Sequence, residues 1–187
     1  NMYKETHTAV RASEWINENI PKDSTILREH WEEEIPSLVG YKMGCGNQWD
    51  SQSCMRMYEP DIHFNLDGKN KMSYVSGQLS QADYLILFSN RLYGSIPRIS
   101  DKYPQTGNYY RKLFSGELGY ELVHTEASYP NLLGITFTDN TFERPDLPIP
   151  VQSNAVDRNM VEINLGYADE SFSVYDHPKV MIFENRQ

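Results

Sequence analysis

Positive charge is scarce in this chain, cysteine nearly absent, and long hydrophobic runs missing. Lys and Arg total 17 against 26 Asp and Glu, a formal net charge of −9. No cluster of Lys or Arg interrupts that balance, so a general grip on a phosphate backbone is excluded and no nucleic acid partner is expected. The same balance disfavours resting on an anionic lipid surface. No stretch approaches the ~20 apolar residues of a membrane-spanning helix. The two cysteines, Cys45 and Cys54, lie in GCGNQWDSQSC. That spacing is not CxxC, and no second pair completes a zinc set, so no metal site is expected. In an oxidising compartment these thiols can close a short loop as a disulfide; in a reducing one they stay separate. GxSxG is missing, as are GxxxxGK[ST] and a strand-borne GxGxxG. Their absence removes the common hydrolase, P-loop and dinucleotide signatures, and no cofactor is expected.

What is present suits a single domain over residues 1–187. The apolar share, 39%, is below the usual globular value. A chain of this length still buries a sizeable core, and its 13 Tyr and 3 Trp bring bulk with polar handles. Asn1 to Thr8 is polar and carries no leader pattern. The helix-like segment that begins so abruptly is expected of a piece cut from a longer protein.

Along the chain, Thr8 to Ile20 reads as a helix, with Ala12, Trp15, Ile16 and Ile20 on one face. Thr6 or Thr8 is placed to cap it, and Pro21 follows its end. A polar turn then leads to a short strand, Thr25 to Leu27. Glu29 to Pro60 reads as irregular, with Asp61 to Leu66 as a candidate strand. Lys69 to Gln81 reads as a helix and Tyr84 to Phe88 as a strand covered on both faces. Ser89 to Pro104 reads as a loop, Tyr109 to Ser115 as a helix, and Tyr120 to Glu126 as a strand. Ala127 to Pro150 is loop-like, and Asn154 to Leu165 is left unassigned. Ser171 to Tyr175 and Lys179 to Phe183 close the chain as strands around Asp176-His177-Pro178. Helices alternating with apolar strands predict an α/β fold: a three-layer sandwich on a mainly parallel, Rossmann-like sheet with long irregular loops. In that fold the strands at Thr25 and Tyr84 are parallel neighbours.

Ligands of open α/β sheets bind beyond the carboxyl ends of the strands. Glu29, His30 and Trp31 follow the first strand. Trp stacks on a sugar ring while Glu and His exchange hydrogen bonds with hydroxyls. The plainer use is structural: Glu29 and His30 close loops and Trp31 covers the sheet edge. Ser89, Asn90, Arg91 and Tyr93 follow the strand at Tyr84. Arg91 carries a planar fork that suits phosphate or carboxylate. Again the plainer use is anchoring, with Ser89 and Asn90 satisfying turn amides. Asp176 beside His177 is ordinary turn chemistry, since adjacent residues of an extended chain point to opposite faces. No catalytic residue is assigned.

ADYLILFSNRLYGSIPR, YPQTGNYYRKLFSGELGYELV, FSVYDHPKVMIFEN and the opening ASEWINENIPKDSTILREHWEEEIP resemble the tail of the YYY membrane protein family. The likeness spans most of the chain and departs at Met43 to Met57, around the cysteines. It implies membrane helices upstream, in a layout similar to lipid-sugar-dependent glycosyltransferases, and a position on the outer face of the cell membrane. The partners it implies are the transmembrane part of the same protein and a lipid-linked sugar or glycan. On this reading the chain is an accessory domain without catalysis of its own. Two rivals stand beside it. An independent sugar- or phosphate-processing hydrolase needs converging carboxylates, or a nucleophile and a base. A structural or oligomerisation domain needs neither. The accessory reading needs an apolar face able to meet the membrane part.

Overall fold

The computed structural model describes residues 5–29, 35, 42–43, 71–138, 147–153, 161–166 and 175–187. Helix α1 (Thr8–Asn19) leads into β1 (Thr25–Arg28), followed by β2 (Lys42–Met43), α2 (Lys71–Leu79) and β3 (Tyr84–Leu87). Helix α3 (Arg91–Ser95) runs into a 3₁₀ turn at Ile96–Ile99, and α4 (Pro104–Phe114) precedes β4 (Tyr120–Glu126). Then come β5 (Asn131–Leu132), β6 (Ile135–Thr138), β7 (Val161–Asn164) and β8 (Val180–Asn185).

The larger sheet has the order β2-β1-β3-β8-β4. β1 pairs parallel with both β2 and β3, so the expected parallel neighbours are found, with Leu27 opposite Leu85. β8 then inserts antiparallel between β3 and β4. A second, three-stranded sheet has the order β5-β6-β7, antiparallel across the first pair and parallel across the second. The expected architecture, a three-layer sandwich on one mainly parallel, Rossmann-like sheet, is therefore overturned: the strands run in both directions and divide between two small mixed sheets. The reason is physical. A continuous apolar run such as Val180 to Phe183 reports burial on both faces, and it says nothing about direction. The terminal strand returns to fill the sheet centre the other way round.

Alternation along the central strands divides their side chains between two apolar clusters. Ile26, Ile86, Val180 and Ile182 join Ala9, Ala12 and Ile16 of α1 and Ile20 just after it. These helix residues recur at the spacing of one helical face. Leu27, Leu85, Leu87, Met181 and Phe183 point the other way and meet Val75 and Leu79 of α2, Leu92 of α3, and Tyr110, Leu113 and Phe114 of α4. Helix α1 is capped by His7, whose Nδ1 accepts the Ala9 amide at 3.2 Å, in place of the expected Thr6 or Thr8. Helix α4 opens on Pro104, whose missing N–H is no loss in a first turn. Gly116 follows it at φ 78°, a left-handed turn that L side chains resist. β4 lies at the sheet edge. Its exposed backbone is partly covered by residues 151–153, since the Leu122 amide donates to the Val151 carbonyl at 2.8 Å and the Ser153 amide donates to the Leu122 carbonyl at 2.9 Å.

Candidate functional site

Because β1 and β3 are parallel neighbours, Glu29 and the pair Ser89-Asn90 emerge at the same edge of the sheet. The environment there is aromatic. Glu29 is 1% exposed, and its Oε1 accepts the Tyr110 hydroxyl at 2.8 Å. Tyr110 in turn meets Tyr109 edge-on at 5.0 Å and Tyr93 at 6.4 Å between ring centroids. Tyr93 is buried and also packs edge-on against Phe114 at 5.5 Å. It belongs to the core rather than to an open wall. Burial, then the neighbouring Glu29 charge, pushes the Tyr109 phenol well above its ordinary value, so this ring is neutral. Its hydroxyl has no hydrogen-bond partner among the described residues.

Arg91 meets Tyr175. Its backbone amide donates to the Ser89 hydroxyl at 3.2 Å, which tightens the turn from β3 into α3. The Gly94 amide donates to the Asn90 carbonyl at 2.7 Å and starts the helix. The Arg91 guanidinium lies over the ring of Tyr175, 5.1 Å from its centroid, and donates to the Tyr175 hydroxyl. Tyr110 thus links Glu29 to Tyr93, while Arg91 engages the segment that enters β8. His30, Trp31, Cys45 and Cys54 lie outside the described residues, as do the candidate strand at Asp61 to Leu66 and all but Tyr175 of the candidate strand at Ser171 to Tyr175.

A second polar cluster joins α1 to the end of β4. Arg11 Nε donates to Glu126 Oε2 at 2.8 Å, and Arg11 also donates to the Ala127 carbonyl at 2.8 Å. His124 Nε2 lies 2.8 Å from Glu126 Oε1, and Trp15 stacks on the His124 ring at 4.3 Å. Burial pushes the Glu126 carboxyl up, but the hydrogen bonds and charges of His124 and Arg11 outweigh it and hold the group below its ordinary value. His124 follows an irregularity in the β4–β8 pairing between Leu122 and His124, the kind of bulge that re-aims a side chain. Among the described residues no group of three or more His, Cys, Asp or Glu is placed to hold a metal ion.

The third feature is the small sheet. Residues paired across strands share a face. Leu132 pairs with Ile135, Ile135 with Val161, and Phe137 with Ile163. Every residue of that face is apolar. By register, the opposite face carries Asn131, Thr136, Thr138, Glu162 and Asn164. Along the central strand β6 it is the threonines that turn inward: Thr136 is 4% exposed and Thr138 is buried, Ile135 and Phe137 are half-buried, and on the flanking strand Val161 is 65% and the following Leu165 70% exposed. The usual arrangement, apolar inside and polar outside, is reversed. Sequence reading missed this face, the Tyr110–Glu29 bond and the Arg11–Glu126–His124 cluster. Only the face left a local signal, the two-residue alternation in Ile135-Thr136-Phe137-Thr138 and Val161 to Leu165.

Compared with known proteins, the chain matches no family model, no curated protein and no solved structure.

Proposed function

We propose that this chain is an outward-facing accessory domain of a polytopic membrane protein. Its reversed small sheet docks on the transmembrane part and helps shape a site for a lipid-linked sugar or glycan. The observation that carries the reading is the apolar face on which Leu132, Val161 and Ile163 are exposed around half-buried Ile135 and Phe137, while Thr136 and Thr138 take the interior. Contiguous exposed apolar surface marks an interaction site, because water penalises it in a free domain. The placement of Glu29 agrees with this reading. A buried carboxylate that accepts a core phenol acts as a core anchor.

The test uses the full-length membrane protein carrying a photocrosslinking residue in place of Ile163. Crosslinks into hydrophobic segments of the same polypeptide are expected. A correctly folded protein that gives none, or gives them only to another copy of this domain, favours the oligomerisation rival.

A further inference from the structure

The β5–β6 hairpin closes through two residues, Leu133 and Gly134, with φ of 55° and 84°. Both values are left-handed, as the tightest hairpin turns require, and Asn, Asp or Gly is the residue such turns select at the first position. Leucine there crowds its Cβ against the backbone. Leu133 is also 94% exposed, so no packing offsets that strain. Leu132 beside it is exposed as well. The turn is nevertheless held firmly: the Asn131 side chain accepts the Gly134 amide at 3.2 Å and donates to the Thr136 hydroxyl at 3.1 Å. A strained residue persists where its surroundings fix it, and such residues cluster at functional points. Here a rigid tip presents two leucines to whatever lies beyond the domain.

We infer that the Leu132–Leu133 tip inserts into the interfacial layer of a lipid bilayer of zwitterionic composition. The inference rests on the docking reading above and adds lipid as the tip's partner. Two observations select that occupant. A second copy would bring together two chains of formal charge −9. A two-residue tip also falls far short of the roughly 800 Å² per partner of a stable protein interface. Anionic lipid is repelled by the same charge. Uncharged headgroups over hydrocarbon accept leucine at no electrostatic cost, much as the apolar side of an interfacial helix is accepted.

The chain is titrated with phosphatidylcholine vesicles, and with vesicles containing added phosphatidylserine, in a sedimentation assay. Weak but saturable binding to phosphatidylcholine is expected, reduced by phosphatidylserine. Leu133→Asn suits the left-handed turn, so that variant folds at least as well as the parent. Its partitioning should nevertheless fall about tenfold or more, the change that follows from losing one buried leucine side chain. Tyr74→Ser, at an exposed position of α2 outside both the face and the tip, should leave vesicle binding within about twofold. No binding to phosphatidylcholine, or Leu133→Asn binding as the parent does, overturns the inference. So does a self-association that Leu133→Asn abolishes, which would name a second copy as the occupant. The docking reading fails separately, on the Ile163 crosslink in the full-length protein.

Discussion

Tyr110→Phe removes one hydroxyl and keeps the ring. The ring contacts with Tyr93, Tyr109 and Phe114 should survive, so the change isolates the 2.8 Å bond to Glu29. A hydrogen bond to a charged group contributes roughly 1.5–3 kcal/mol, and a buried carboxylate that loses one of its donors is not compensated by water. At about 2–4 °C per kcal/mol for a chain of this size, the melting temperature should drop by about 3–12 °C. Chemical denaturation of the single variants and of Tyr110→Phe with Glu29→Gln completes the cycle. A coupling of at least about 1 kcal/mol is expected between residues in direct contact. The reasoning fails if Tyr110→Phe costs less than about 0.5 kcal/mol, the range of an ordinary surface change. It also fails if Glu29→Gln stabilises the protein, because a carboxylate kept at the expense of stability is the mark of a working site.

Three further outcomes are expected. Phe114 is fully buried, stacked on Phe183 at 6.0 Å, so Phe114→Ala should cost about 3–5 kcal/mol in denaturant unfolding. The Glu126 carboxyl is depressed in the folded state, so its contribution is fully present above the ordinary carboxyl value and lost as pH falls through the lower folded value. The stability difference between the parent and Glu126→Gln, about 1–3 kcal/mol at neutral pH, should therefore shrink on acidification below about pH 4.5 and change little above it. A panel of glycosidase and phosphatase substrates should show no turnover by the chain; activity abolished by Glu29→Gln would instead establish the hydrolase rival.

The sequence disclosed the elements whose patterns are long and local. Helix α1 and strands β1, β3 and β4 were legible because apolar spacing and bounding turns agree over each of them. The parallel pairing of β1 and β3 followed from the helix between them. The direction of β8 was not legible, since Val180 to Phe183 reads alike in either orientation. β5 was hidden by its length of two residues, and β6, as long as the legible β1, by lying within a proline-rich stretch that reads as loop. α3 is a five-residue turn held by tertiary burial of Leu92 and Tyr93, where propensity carries little weight. At the sheet edge, Glu29 and Arg91 were found by their position after strands. Their partners were not, because Tyr110 is 81 residues from Glu29 and Tyr175 is 84 from Arg91. Periodicity says nothing about contacts at such separations.

Hydroxyl-radical footprinting tests the docking face most directly. Side-chain labelling of Leu132, Phe137, Val161 and Ile163 is compared between the isolated chain and the longer membrane protein proposed above, in a lipid nanodisc. Tyr74, an exposed residue of α2, serves as the reference. The account predicts strong protection of those four side chains in the full-length protein and unchanged labelling at Tyr74. Equal labelling of the apolar face in both samples would contradict it.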